Sequence, residues 1–355
     1  MVFLSRPRVL LVLALGLLLV AGSAFAVLRG DGDPESRRDY LRGVNVFTFG
    51  YASSNPEYPG EPASGYRFLA GRGQRLVRIP FFWTQVQPSL GGPLDPAGLE
   101  ALADEVGRAD AAGLRVVLSL HNGCRFPKVD SRARCGDGIS EQQLTDVWLR
   151  LSSRFAKDRG VIAYDIMNEP YEIEPGLWES FSQAVVNGLR GRGDTKLLWI
   201  EASGYSSPKD FARRHPRAWI NDPADKVMYS AHQYFDGSGT YQNGFDFDSY
   251  DTGEVIADLI LFTRWLSENG ARGSVGEVGW PSSTRTDSWQ LWNDLGEDWY
   301  RVADEARLWV TYFSATSAYD EKQSVYDSPA NGLSPIPGIS VARSQSKVIE
   351  RHLGR

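Results

Sequence analysis

Residues 160–170 read GVIAYDIMNEP. After Gly160 comes a short run in which Val161, Ile162, Ala163, Tyr164, Ile166 and Met167 are apolar and only Asp165 is charged. A run this short, rich in β-branched and aromatic residues, reads as a buried strand. Pro170 stops it, because proline has no N–H for a ladder and biases the residue before it toward an extended conformation. The expectation is a strand over 160–169 with Glu169 extended at its end. Asp165, inside the strand, is expected in a structural ion pair or hydrogen bond, as buried carboxylates usually are.

The same pattern recurs on both sides of this stretch. LRGVNVF (41–47), QRLVRIPFF (74–82) and LRVVLSLH (114–121) precede it. TKLLWIEA (195–202), DKVMYSAHQY (225–234), RGSVGEVGW (272–280) and RLWVTYFSA (307–315) follow. Between them lie stretches of helical periodicity. Residues 95–113 begin with Asp95 as cap and Pro96 at the first helical position, with Leu99, Leu102, Ala103 and Val106 on one face. Residues 140–158 begin at Ser140 and carry Leu144, Val147, Trp148, Leu151 and Phe155. Further helices are expected over 253–270, about 176–190, 288–306 and 341–353.

Eight strands, most followed by a helix or helical loop, predict a single-domain α/β fold, a (β/α)8 TIM barrel, over residues 40–355. The near-continuous apolar strands are those of a parallel sheet covered on both faces. An open doubly wound sheet is the competing fold, but RGVNVFTFG offers no glycine-rich phosphate turn after the first strand.

In such a barrel the active site lies at the carboxyl ends of the strands. Those ends carry Arg78, His121, Asn168 with Glu169, Glu201, His232 with Tyr234, Glu277, and then Trp309, Tyr312 and Phe313. Singly, each has a plain explanation: a paired arginine, a satisfied core histidine, a charged strand end. Glu201 reads equally well as support for a site and as structure. Together, two carboxyls on the fourth and seventh strands would face each other across the barrel mouth. That arrangement suits glycoside hydrolysis, in which one carboxyl attacks while the other serves as acid and then base.

Arg78 in RIPFFW, His121 in SLHN, IMNEP, His232 and Tyr234 in SAHQYF, and Glu277 in VGEVG form an ordered set on successive strands. On this set the chain resembles family 5 glycoside hydrolases of clan A, the cellulase-like barrels, from about residue 41 to 315. The resemblance implies a retaining hydrolase of a β-linked glycan partner, most simply an endo-β-1,4-glucanase, with no cofactor or metal. It implies Glu169 as acid/base, Glu277 as nucleophile, Asn168 on the sugar 2-hydroxyl, Arg78 and Tyr234 orienting Glu277, and His121 and His232 lining the subsite of the cleaved sugar. Trp83, Trp280, Trp309 and Phe313 are the expected stacking surfaces. The family usually has tryptophan where this chain has Phe313, which leaves the geometry of that subsite and the substrate preference open. Mannan, xyloglucan, another glycan or a glycolipid stay open as substrates.

Two rival classes stand beside this reading. One is a barrel that binds carbohydrate without cleaving it. The other is a metal-dependent hydrolase, which would need clustered ligands. The chain has four histidines, and His215 and His352 lie away from the strand ends.

Composition is consistent with a globular enzyme: 42% hydrophobic, 23% charged, 11 Trp and net charge −6 in 355 residues. No basic run follows the N-terminus, which argues against nucleic acid as a partner. Arg6 and Arg8 precede an uncharged run, Val9 to Leu28, containing Ala24-Phe25-Ala26. Residues 1–26 therefore read as a secretory signal or an uncleaved membrane anchor, and 27–39 as a linker. The protein is expected outside the cytoplasm, as a monomer. Cys124 and Cys135, the two cysteines, sit in one polar loop and are expected to pair in a disulfide.

Overall fold

The computed structural model describes residues 40–51, 60–128, 131–318, 322–329 and 337–354. The segments read as leader (1–26) and linker (27–39) lie outside the described residues. Among the described residues no helix is long and apolar enough to cross a membrane.

All eight apolar runs form strands: β1 (Arg42–Val46), β2 (Leu76–Phe82), β3 (Arg115–His121), β4 (Val161–Asp165), β5 (Leu197–Glu201), β6 (Val227–Tyr234), β7 (Gly273–Gly279) and β8 (Trp309–Thr316). Each pairs in parallel with the next, and β8 pairs in parallel with β1, so the sheet closes on itself. The fold is the (β/α)8 barrel.

The covering helices are α1 (Ala63–Gly71), α2 (Pro96–Ala111), α3 (Glu141–Phe155), α4 (Pro175–Gly191), α5 (Pro208–Arg214), α6 (Val255–Glu268) and α7 (Trp289–Glu305). Their starts follow from local chemistry. Asp95 accepts the Gly98 N–H at the head of α2, with Pro96 as the first helical residue. Ser140 and Gln143 form a reciprocal capping box at the head of α3. Each such cap contributes about 1 kcal/mol. The helices bury one stripe against the barrel, as Leu144, Val147, Trp148, Leu151 and Phe155 of α3 show.

The last expected helix is corrected. Within 341–353 the α-helix is only α8 (Ser346–Ile349). Before it, β10 (Val341–Ala342) pairs antiparallel with β9 (Tyr326–Asp327), which continues the sheet beyond β8. Buried Ser344 and Gln345 explain the break. Ser344 Oγ accepts the Ser283 N–H, and Gln345 donates to the Trp280 carbonyl. Polar side chains that bond to backbone in this way favour turns over helix.

Inside the barrel, every second strand residue points inward. Leu76, Val117, Ala163, Trp199 and Met228 form an apolar plug toward the N-terminal end. Two residues further along the same strands, Arg78, Ser119, Asp165, Glu201 and Ser230 form a fully buried polar layer. One more step brings His121 and His232 to the mouth. The strand period thus stacks an apolar floor, a charged layer and the mouth.

Candidate active site

Arg78 organises the charged layer. Its Nε and Nη2 donate to Asp165 Oδ2 at 2.9 and 2.7 Å, which gives Asp165 the structural pairing expected of it. Nη1 donates to Asn45 Oδ1 and to Glu277 Oε1, both at 2.8 Å. Nη2 also reaches Asn168 Oδ1 at 2.6 Å and Glu201 Oε1 at 3.3 Å. Burial by itself would lower the Arg78 pKa, but Asp165, Glu277 and Glu201 outweigh it and raise it. A buried cation is tolerable only when ringed by acceptors in this way.

β4 departs from the expectation at its end. The regular ladder stops at Asp165, four residues before Glu169. The backbone stays satisfied, with Ile166 N donating to the Trp199 carbonyl and Asn168 N to the Leu120 carbonyl. Glu169 is not extended: its φ is +49°, in the left-handed region. For a residue with a Cβ this costs on the order of 1 kcal/mol. Two tertiary contacts hold it there. Glu201 Oε2 accepts the Glu169 N–H at 2.7 Å, and the Pro170 carbonyl accepts the Gly204 N–H at 2.7 Å. These contacts override the local preference set by proline.

Glu169 Oε1 lies 2.8 Å from His232 Nδ1. Burial raises the Glu169 pKa; His232 opposes the rise and the negative charge of Glu277 adds to it. Glu277, on β7 and in register with His232, is held from both sides. Arg78 donates to Oε1, and the Tyr234 hydroxyl donates to Oε2. One oxygen of Glu169, one nitrogen of His232 and one oxygen of Glu277 all lie within 4.8 Å of one another.

The charge on His232 follows from its neighbours. Nε2 is 2.9 Å from Glu201 Oε1, and Nδ1 is 3.6 Å from Glu277 Oε2. Burial would lower its pKa, but Glu201, Glu277 and Glu169 raise it well above the usual imidazole range. Burial pushes the Glu201 carboxyl up, while His232 and Arg78 beside it favour its charged form. His121 is the opposite case. Burial, Arg78 and His232 drive its pKa well down, so it is neutral. Its ring meets Phe47 and Phe82 edge-on at 5.6 and 6.0 Å. Its Nε2 has no partner among the described residues.

Of the expected stacking surfaces, Phe313 stands at the mouth, half-buried, edge-on to Phe47 at 5.7 Å and to Tyr234 at 5.9 Å. The three tryptophans are elsewhere. Trp83 is fully buried, donating to Gln87 and packed on Phe126. Trp280 is fully buried, stacked on Phe235 and donating to Asn293. Trp309 opens β8 at the N-terminal end of the barrel, against Trp199 of the plug. Indole N–H groups with internal partners mark the first two as core, and the start of a strand cannot reach the carboxyl-end mouth.

Other site residues are not visible in the motif set. Asn45 of β1 binds Arg78 and donates to the Gly276 carbonyl. Glu201 supports Glu169, and Phe47 packs beside Phe313. Tyr205, 54% exposed, stacks at 4.9 Å on Tyr171 in the loops around Pro170, and the Arg125 guanidinium lies 4.3 Å from the Tyr171 ring centre. The position of Asn45 one residue from β1's centre was a usable signal; loop–loop stacking leaves none in sequence. The Cys124–Cys135 disulfide forms, with a Cα–Cα distance of 5.5 Å.

Glu169, His232 and Glu277 also include the donor atoms of a small cation site. They do not fit that use well. His232 Nδ1 faces Glu169, both Glu277 oxygens accept protein hydrogen bonds, and the Arg78 cation sits behind them. The donor set suits proton handling.

A barrel with two held carboxyls at the carboxyl ends of β4 and β7 has the architecture of a glycoside hydrolase. The profile of the family described as Cellulase (glycosyl hydrolase family 5) matches residues 39–319. The chain belongs to this family and is a cellulase-like glycosidase. It is 27% identical over 273 residues to probable endo-beta-1,4-glucanase B of Aspergillus niger, covering 72% of this chain and 77% of that one. It is 27% identical over 339 residues to endoglucanase 1 of Saitozyma flava, covering 89% and 93%. The crystal structure of Pseudomonas stutzeri endoglucanase Cel5A in complex with cellobiose superimposes with a TM-score of 0.73 at 28% identity, over 88% of this chain and 92% of that one.

Proposed function

We propose that this chain is a retaining endo-β-1,4-glucanase in which Glu277 is the nucleophile and Glu169 the acid/base. The observation that carries the reading is the approach of the two carboxyls, with oxygens inside a 4.8 Å triangle completed by His232. Retaining enzymes bring theirs to about 5 Å, whereas inverting enzymes leave room for a water. The endo-beta-1,4-glucanase names of similar proteins from Aspergillus niger and Emericella nidulans support the substrate.

In the first step a Glu277 oxygen bonds to the anomeric carbon as the glycosidic C–O bond breaks, and the Glu169 proton goes to the departing oxygen. In the second, Glu169 takes a proton from water, whose oxygen displaces Glu277 and frees the sugar. Arg78 and Tyr234 hold the attacking carboxylate charged and aimed. Arg78 also fixes Asn168 by its Oδ1, leaving Nδ2 free to donate to the sugar 2-hydroxyl. Neutral His121, with an unpartnered Nε2, offers a hydroxyl contact, and Phe313 an apolar face.

We further read residues 1–26 as an export signal or anchor, 27–39 as a linker and 40–355 as the catalytic domain. The protein would then work outside the cytoplasm, as a monomer. The disulfide supports an oxidising destination.

The test is a panel of β-1,4-glucan, mannan, xyloglucan and glycolipid, with products read by mass and by NMR. Internal cleavage of the glucan with a β-configured first product is expected. An α-configured first product would remove Glu277 as nucleophile, and cleavage of mannan alone would remove the substrate.

A further inference from the structure

Glu201 ends β5 and is fully buried. Both its oxygens are engaged. Oε2 accepts the Glu169 main-chain N–H at 2.7 Å. Oε1 lies 3.3 Å from Arg78 Nη2 and 2.9 Å from His232 Nε2. Arginine and the main-chain amide can only donate, so the surroundings are those of an anion. His232 thus has a carboxyl at each ring nitrogen: Glu169 hydrogen-bonds Nδ1, and Glu201 approaches Nε2 as an ion-pair contact without an aligned hydrogen bond.

We propose that Glu201 is a positioning residue for Glu169, acting through the Glu169 main-chain N–H and through a His232 imidazolium that it holds in its charged form. The first contact pins the left-handed turn that carries Glu169 to the mouth. The second decides what charge faces the Glu169 carboxyl. The groups around the Glu201–His232 pair come from every neighbouring strand. They are Asp165 and Glu169 at β4, Arg78 from β2, Glu277 from β7 and neutral His121 from β3. Arg78 is tied to Asp165 and Glu277, so Glu201 is the partner that balances His232.

The consequence rests on the reading of Glu169 as acid/base. An imidazolium beside Glu169 favours its carboxylate, against burial, which favours the acid. It also favours ionised Glu277, whose Oε2 is 3.6 Å from Nδ1. Glu201→Gln keeps the shape and one acceptor but removes the charge. His232 then loses its proton at ordinary pH, and both carboxyls hold theirs to higher pH.

The experiment is the pH profile of kcat/KM on a soluble β-glucan for wild type, Glu201→Gln and Glu201→Asp. Both limbs of the Glu201→Gln bell should move up by roughly one pH unit, the scale of a neighbouring charge. Glu201→Asp should return them toward wild type. A lower rate with unmoved limbs would overturn the proposal, because that is what lost packing alone produces. Imidazole nitrogen NMR of the wild-type protein supplies an arm that needs no variant. His232 should be doubly protonated at pH 7, and a neutral ring there would overturn the proposal. A wild-type protein that hydrolyses no glycan would remove the acid/base reading while the NMR result still decides the Glu201–His232 pairing.

Discussion

Arg78 Nη1 donates to Glu277 Oε1 at 2.8 Å from beneath, out of a layer of the barrel with no solvent exposure. The same guanidinium neutralises Asp165 and touches Glu201. Site and core therefore share one cation. Arg78→Met should abolish turnover and also destabilise the fold by about 3–5 kcal/mol, because carboxylates are left buried and unpaired. Urea denaturation with a parallel rate measurement checks this. Loss of rate at full stability would show that Arg78 serves the nucleophile alone.

The two carboxyl variants should differ in kind. Glu277→Gln should reduce turnover to background on every substrate while cello-oligosaccharides still bind, as read by calorimetry. Glu169→Ala should lose about 10²–10⁴-fold on natural glucan, the usual worth of a general acid. On aryl glycosides with a good leaving group the first step needs no proton, so the loss should be far smaller there. Equal losses on both substrates would place Glu169 outside proton transfer.

The two glutamates and their strands were readable because a parallel strand is a continuous apolar run and a barrel presents its chemistry where such runs end. Glu169, His232 and Glu277 follow that rule, whereas Arg78, third of the seven residues of β2, lies in the layer beneath the mouth and was singled out with them by the ordered motif set. The tryptophans did not follow the rule. Aromatic type says nothing of which end of a strand a ring occupies, and Trp309, at the start of β8, belongs to the floor. Nor did the conformation of Glu169 follow from Pro170, because the contacts to Glu201 and Gly204 that set it come from β5 and the loop after it. Short-range preference predicted an extended residue, and tertiary hydrogen bonds chose another.

Cys124 and Cys135 close the loop in which Arg125 reaches Glu172 at 2.5 Å and covers the Tyr171 ring. In the chain-entropy view a loop of this length gains roughly 3 kcal/mol from closure. Cys124→Ser with Cys135→Ser should lower stability by about that amount, as measured by denaturation. Weaker binding of long glucans, read in KM, should accompany it if the Tyr171–Tyr205 stack carries leaving-group sugars. An unchanged KM would separate the stack from substrate.

A second buried acid sets a pH dependence of stability. Glu61 is fully buried. It accepts from Thr48 Oγ1 at 2.7 Å after β1, from Ser317 Oγ at 2.6 Å after β8, and from the Ile339 N–H at 2.7 Å ahead of β10. It thus ties the seam where the barrel closes to the C-terminal segment. Burial pushes its carboxyl up from 4.5 to about 7, although those three hydrogen bonds pull it down and nearby Glu105 pushes it up. Because the folded value lies above the unfolded one, the fold favours protonated Glu61. That contribution is fully present below pH 4.5 and disappears as pH rises through about 7. Its size is about 3 kcal/mol. Glu61→Gln does not titrate, so its stability curve should be flatter across that window. Its stability relative to wild type should rise by the same amount between pH 4.5 and 8. Denaturant midpoints at a series of pH values give the comparison, and parallel curves for the two proteins would show that Glu61 is ionised throughout.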